Sequence, residues 1–340
     1  MTHTASAVTT RDPEERAVAP SRSSASWAAR RIGSRLVSTL ATVVGASFAV
    51  FALVDLAPGD VASRIAGDDA SPETIERIRL ALGLDEPFLE RYLSWLLNAL
   101  QGDLGTSIVT GQEATEMIAH AIPATASLIV LTAILSLILS MVAGLLSAIW
   151  SDAALDRIVV TSTSIGLAIP NFWLGLVLVS IFAVQLRMFP AVGYAPMSHG
   201  FGTWLSHLIL PSVALSGVLA AELTRQLRGS LRDTLREPYI QTARMKGLSN
   251  TRIVGKHALK NAAIPMVTVF GVRITQLLGG TVVVERVFSI DGLGNLIVTA
   301  VQNRDMEVVV AVVIVFTLMV VVANTLVDLS YGYFNPRVRR

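Results

Sequence analysis

The chain has 340 residues, of which 52% are hydrophobic and only 15% charged, with a net charge of +2 and no cysteine. A water-soluble domain carries about 25% charged residues, so lipid replaces water over much of this surface, and the near-neutral balance leaves no general nucleic-acid footprint. Without cysteine there is no disulfide framework, no thiolate zinc site and no catalytic thiol.

Residues 1–29 are rich in Ala, Ser, Thr and Arg without apolar periodicity and read as a disordered tail. A spanning helix needs about 20 mostly apolar residues, and lipid forces each span to be helical. Five stretches qualify: Leu36–Leu56, Ser127–Trp150, Ile158–Val184, Ala262–Val284 and Val308–Val327. A sixth, Trp204–Leu223, is less apolar because it carries His207, Pro211 and Glu222. It is counted because otherwise the basic segments around it fall on opposite sides of the membrane. The first span is too long for a signal-peptide core and no small-residue cleavage site follows it.

Positive charge sets the orientation. Arg30, Arg31 and Arg35 precede the first span, and Arg337, Arg339 and Arg340 follow the sixth, in a tail of residues 337–340. Between spans four and five, the segment that ends in the loop 228–261 holds Arg225, Arg228, Arg232, Arg236, Arg244, Lys246, Arg252, Lys256 and Lys260. The loop 57–126 is acidic, with Asp60, Asp68, Asp69, Glu73, Glu76, Asp85, Glu86, Glu90 and Asp103. Both termini and the basic loop are expected in the cytoplasm, and the acidic loop outside.

The outer loop opens on "APGD" (Ala57–Asp60). Leu84, Phe88, Tyr92, Trp95 and Leu96 then recur at helical spacing, with Pro87 at a first-turn position, and predict a helix that packs on the outer rim of the spans. In span three, Pro170 removes a helical hydrogen bond and predicts a kink; Asn171 beside it either caps the freed backbone or lines a path. Arg273 lies inside span five, where an ionisable residue is a functional candidate. Glu222 or Glu285 is within reach as its partner, and Gln276 shares its helical face. A structural ion pair, or a contact with another subunit, is the competing role for Arg273. "FSIDGLGNL" (Phe288–Leu296) lacks the Gly-Lys-Ser/Thr ending of a phosphate loop and reads as a turn into a short re-entrant or rim helix.

The basic loop predicts two helices. Pro238 suits a first turn, Gly247 suits the left-handed residue after a helix end, and a second helix runs from Thr251 to Ala263. Its charge alone is also compatible with binding anionic lipid head groups.

"YIQTARMKGLSNTRIVGKHALKNAAIP" (Tyr239–Pro265) resembles the EAA loop of bacterial ABC import permeases, in the form used by the dipeptide/oligopeptide/nickel branch. "LGLDEP" (Leu82–Pro87), "RYLSWL" (Arg91–Leu96), "GDLGTS" (Gly102–Ser107), "AIPNFWLG" (Ala168–Gly175), "LPSVALS" (Leu210–Ser216), "LLGGTVVVERVFSIDGLGNL" (Leu277–Leu296) and "NRD" (Asn303–Asp305) extend the likeness from about Ser34 to Pro336. It departs from the general pattern where Gln241–Thr242–Ala243 stand for Glu–Ala–Ala and Lys260 for a common proline. The resemblance implies an all-α membrane protein with the type I ABC importer permease fold of six transmembrane helices, a permease domain over residues 30–336. It implies docking of the loop on an ATPase subunit through Glu237, Tyr239, Ala243, Arg244, Lys246 and Gly247, with Ala243 and Gly247 at small-residue positions and Arg244 and Lys246 facing the partner. It also implies a second homologous permease, an extracytoplasmic solute-binding protein, and residence in the bacterial inner membrane. The candidate translocation path comprises Asn171, Trp173, Arg273 and Gln276. The expected cargo is a di- or oligopeptide, with nickel chelates or another small solute as alternatives.

The chain has no phosphate loop, no His-Glu-x-x-His and no Gly-x-Ser-x-Gly, and its five histidines lack metal-ligand spacing. It is expected not to be an enzyme alone, to bind no metal or cofactor, and to leave ATP and magnesium to the partner ATPase. A secondary transporter or channel is the competing class; it predicts inverted half-repeats, none of which is visible.

Overall fold

The computed structural model describes residues 24–56, 61–67, 69–81, 83–150 and 154–334. Residues up to Thr42 form one unit and those from Val43 another. Most of the tail 1–29, the segment Ala57–Asp60 and the C-terminal tail 337–340 lie outside the described residues. Helix α1 runs Ser24–Asp55, starting six residues before the expected start of the permease domain at residue 30. Ala25, Ala28 and Ala29 are strong helix formers, so the helix begins before the apolar span. Within the first unit the Thr42 hydroxyl donates to the Ser38 carbonyl at 2.8 Å.

The second unit is helical throughout, and its described residues hold one isolated bridge, Thr106 to Glu113, in place of any strand. After α1 come three short helices, α2 Val61–Ala66, α3 Pro72–Ala81 and α4 Phe88–Leu100. Then α5 Ala114–Ile149, α6 Ala154–Ala168 and α7 Asn171–Leu178 lead through a π-helical turn, Val179–Gln185, to α8 Phe201–Thr234. The remainder is α9 Pro238–Met245, α10 Asn250–Arg252, a second π-helical stretch Ile253–Ala258, α11 Leu259–Val287, α12 Leu293–Asn303 and α13 Met306–Phe334.

These elements make six membrane spans. Five are single helices, and the sixth is α6 with α7, bent by 105° at the break before Pro170. The bend has the expected cause: Pro170 stands as N-cap of α7 with φ −64° and ψ 139°, outside the helical region, and so ends one helix before starting the next. Several boundaries differ from expectation because apolar windows mark lipid contact and helices outlast it. Helix α5 begins 13 residues before Ser127, its polar first turns carrying Glu116 and His120 and tolerating Pro123. Helix α8 continues through Arg228 and Arg232, so the start of the expected loop 228–261 is helix. The second helix of that loop begins at Asn250 and continues into the fifth span, giving a rod of about 57 Å at 1.5 Å per residue.

Helix α8 is the axis of the core, packing on α5, α6, α7 and α11. It is among the less apolar of the spans in sequence and the most enclosed of the five single-helix spans in structure. The two facts share a cause: small residues Ser212, Ala214, Ser216, Ala220, Ala221 and Thr224 are buried and let neighbouring helices approach closely, so lipid does not select their apolarity.

Of the short helices after α1, α4 packs on the spans. On α4, Tyr92 and Trp95 are buried against Phe51 of α1 and Met306, Val310 and Ile314 of α13. Phe48 and Phe51 meet Phe88 and Tyr92 edge to face at 5.2–5.6 Å. The Tyr92 hydroxyl donates to the Val44 carbonyl at 3.1 Å. The predicted apolar face therefore forms, with Pro87 as N-cap rather than first helical residue. The "GDLGTS" loop is tied to the start of α13: Ser107 donates to Asp305, and the Thr106 amide donates to Glu307 at 2.5 Å. Helix α12, the expected short helix, is capped from outside itself. The amides of Gly294 and Asn295 donate to Glu285 Oε2 at 2.7 and 3.1 Å, and the Thr125 hydroxyl donates to Glu285 Oε1 at 2.7 Å. A carboxylate acceptor at a helix N-terminus satisfies amides that have no partner within the helix. Glu285 is thus not the partner of Arg273.

Candidate functional site

Two constellations stand out, one at the α9 end of the bundle and one in mid-span. Pro238 opens α9 at its first position after Glu237, which is extended at φ −63° and ψ 144°. The helix closes through two reciprocal bonds: the Leu248 amide donates to the Ala243 carbonyl at 3.3 Å, and the Gly247 amide to the Arg244 carbonyl at 2.9 Å. This six-to-one and five-to-two pairing requires a left-handed residue, and Gly247 supplies it at φ +77°. Leu248 then packs onto the core.

Helix α9 has two faces. Ile240 is fully buried and Ala243 nearly so, packed in the core that includes Leu231, Ile253 and Val254. Tyr239 bridges toward the fifth span, accepting from Asn261 Nδ2 at 3.0 Å. Glu237, Arg244, Met245, Lys246 and Gly247 are exposed, Met245 to 81%. Of the residues expected to form a docking surface, Ala243 therefore turns inward, where its small side chain lets α9 lie close to its own bundle. Met245 joins the exposed set, and its position next to the helix end was the only sequence signal for it. Beside this face, Arg232, Arg236, Arg244 and Asn250 line a cleft of about 400 Å³.

An ionic network includes Arg232, which lines the same cleft as Arg244 of α9. Asp156, in the first turn of α6, is 7% exposed. Arg228 grips it with both arms, Nε to Oδ1 at 2.7 Å and a terminal nitrogen to Oδ2 at 2.8 Å; Arg232 adds a bond to Oδ2 at 2.9 Å. Ser147, at the end of α5, donates to Oδ1 and accepts from Arg228 Nε at 2.8 Å. Bidentate arginine–carboxylate geometry is the strong form of this interaction. The network joins the ends of α5, α6 and α8. Sequence reasoning took Arg228 and Arg232 only as basic charges and passed over Asp156. Their i, i+4 spacing was the available signal, but a residue 72 positions away completes it.

In mid-span, Arg273 Nε lies 2.7 Å from Glu222 Oε2, and Arg273 also donates to Gln276 Oε1 at 2.5 Å. Asn171, Glu222, Arg273 and Gln276 line one cleft, with Leu215, Val218, Leu219, Leu277 and Gly280. Three of the four expected path residues meet here. Trp173 does not: it is 50% exposed and absent from this lining. Among the described residues, no group of three or more His, Asp or Glu side chains gathers to hold a metal.

Two family models cover the chain. Residues 140–340 match the binding-protein-dependent transport system inner membrane component, and residues 29–129 match the N-terminal part of such components. The chain belongs to this family. Among relatives of this permease, a probable peptide ABC transporter permease of Sinorhizobium fredii is 39% identical over 305 residues, 90% of this chain and 97% of the relative. Glutathione transport system permeases of Pectobacterium atrosepticum and Escherichia coli K12 are 42% and 39% identical over the same shares. The permease is a membrane component without catalytic machinery of its own, and α9, between the fourth and fifth spans, carries the segment that resembles an EAA loop.

Proposed function

We propose that this permease forms, with a homologous permease, the translocation path of an ABC importer for di- and oligopeptides. A glutathione-sized peptide falls within that class. Both termini and α9 lie in the cytoplasm, and α4 and α12 face the solute-binding protein outside. ATP and magnesium bind the partner ATPase, not this chain.

The observation that carries this reading is the architecture of α9. A short helix with a basic, exposed face is anchored by Ile240 and Ala243 and fixed at its end by Gly247. It abuts the continuous 38-residue helical segment that becomes the fifth span. Glu237, Tyr239, Arg244, Lys246 and Gly247, with Met245, form the ATPase-facing surface, and Ala243 sets its height. A push on such a surface moves α9, and α9 moves the rod that carries Arg273 and Gln276 in the path.

The test is purification of the tagged chain in mild detergent, followed by mass spectrometry of its companions and by uptake in liposomes. Recovery of a second six-span permease and a Walker-motif ATPase, with ATP-dependent peptide uptake, is the expected result. Recovery of this chain alone, transporting without ATP, overturns the reading in favour of a secondary transporter.

A further inference from the structure

We infer that Glu222 and Arg273 form an exchangeable counter-ion pair that recognises the two charged ends of a zwitterionic peptide as it passes mid-membrane. The inference rests on the peptide-importer reading above. Arg273 is the midpoint of the apolar stretch Ala262–Val284, where an isolated charge is most costly and a charged side chain faces a partner or a water-filled cavity.

The pair differs from the other ion cluster of the bundle. Asp156 meets four donor contacts from Ser147, Arg228 and Arg232, and its side chain is 11% exposed. That is the saturated, enclosed arrangement of a structural tie. Arg273 offers five N–H groups but, among the described residues, engages only Glu222 and Gln276. Its side chain is 41% exposed and that of Glu222 22%. The pair bridges α8 and α11, both of its members line a cleft, and both are partly exposed.

A free peptide carries an ammonium and a carboxylate at neutral pH, separated by at most about 3.5 Å per residue. The planar guanidinium of Arg273 matches a carboxylate bidentately, and the carboxylate of Glu222 matches an ammonium. With no peptide present each neutralises the other. With a peptide between them, each holds one terminus, and Gln276 and Asn171 offer amide groups to the peptide backbone. The net charge of the cleft is zero before, during and after passage, so no unpaired charge resides in the membrane. The ligand class that fits is a short peptide with both ends free.

The decisive variant is the double neutral exchange Arg273→Gln with Glu222→Gln. A purely structural pair tolerates loss of both charges together, because the cost arises from leaving one of them unpaired. Complete transporter in liposomes, with its ATPase, partner permease and binding protein, is assayed for uptake of radiolabelled dialanine, with ATP hydrolysis measured alongside to report assembly. The expected result is at least a tenfold fall in dialanine uptake per ATP hydrolysed. Uptake at the wild-type ratio overturns the inference and leaves the importer reading intact. Wild-type complex that takes up no dialanine with ATP overturns the importer reading and this inference with it. If the double variant does not assemble, wild-type complex turning over a dipeptide with a photoreactive benzoylphenylalanine side chain decides. Adducts on residues 215–222 or 273–280 are expected, and adducts confined elsewhere overturn the inference.

Discussion

Replacing Asp156 by alanine removes the acceptor that holds Arg228, Arg232 and Ser147 together. Breaking a buried ion pair by deleting one partner costs roughly 3–5 kcal/mol, since the remaining charge stays where water does not reach. Here the arginine side chains are 22% and 34% exposed, so part of their charge can be hydrated and the low end applies, about 3 kcal/mol. At about 2 °C per kcal/mol for a large domain, the melting temperature should fall by about 6 °C. The assay is thermal denaturation of the purified permease in detergent, read by size-exclusion chromatography after heating. A variant with Asp156→Leu, Arg228→Met and Arg232→Leu, which removes all three charges, should recover most of the loss. An unchanged melting temperature in Asp156→Ala refutes the argument, because it would mean the network contributes nothing to the junction of α5, α6 and α8. A loss equal in the single and triple variants would assign the effect to packing instead of charge.

At Gly247, where φ is +77° and a Cβ would meet no heavy atom within 4 Å, only backbone strain matters, about 1–2 kcal/mol for an ordinary residue. Gly247→Val should insert normally yet lose ATP-driven uptake, while Gly247→Asn, which accepts the left-handed region more readily, should retain most of it; normal uptake by the valine variant would sink the assignment of α9. Gly105→Ala combines φ +92° with a Cβ that collides with the Glu307 carboxylate, so the loop should detach from α13 and residues 102–113 should be cut faster in limited proteolysis. Glu285→Ala leaves the buried Gly294 amide, the part-buried Asn295 amide and the Thr125 hydroxyl without their acceptor, at roughly 1–3 kcal/mol, and should speed amide hydrogen exchange at Gly294 and Asn295. Exchange there at the wild-type rate would show that α12 is held by its apolar contacts alone.

Much of this was legible in advance where the physics is local. Twenty apolar residues in a row dictate a spanning helix whatever surrounds them, and five spans were visible on that ground. Pro170 broke the third, and Pro238 and Gly247 framed α9, because proline and glycine restrict or free the backbone independently of context. The apolar stripe of α4 showed that Tyr92 and Trp95 are buried, though not what buries them. Where a helix leaves lipid, the apolar signal stops and the helix does not, which is why α5 and α8 proved longer than their windows.

Composition, periodicity and backbone chemistry thus determined the class of this protein: six helical spans, a basic helix–turn–helix between the fourth and fifth, and no catalytic constellation. Only the tertiary structure decided which polar side chains meet. Glu222 and Glu285 were equal candidates for Arg273 in sequence, yet Glu285 is taken by the amides of α12 and Glu222 is left facing the guanidinium. Asp156 finds Arg228 across 72 residues, and Asp305 finds Ser107 across 198. Such pairs depend on how helices cross and rotate, which no one segment encodes.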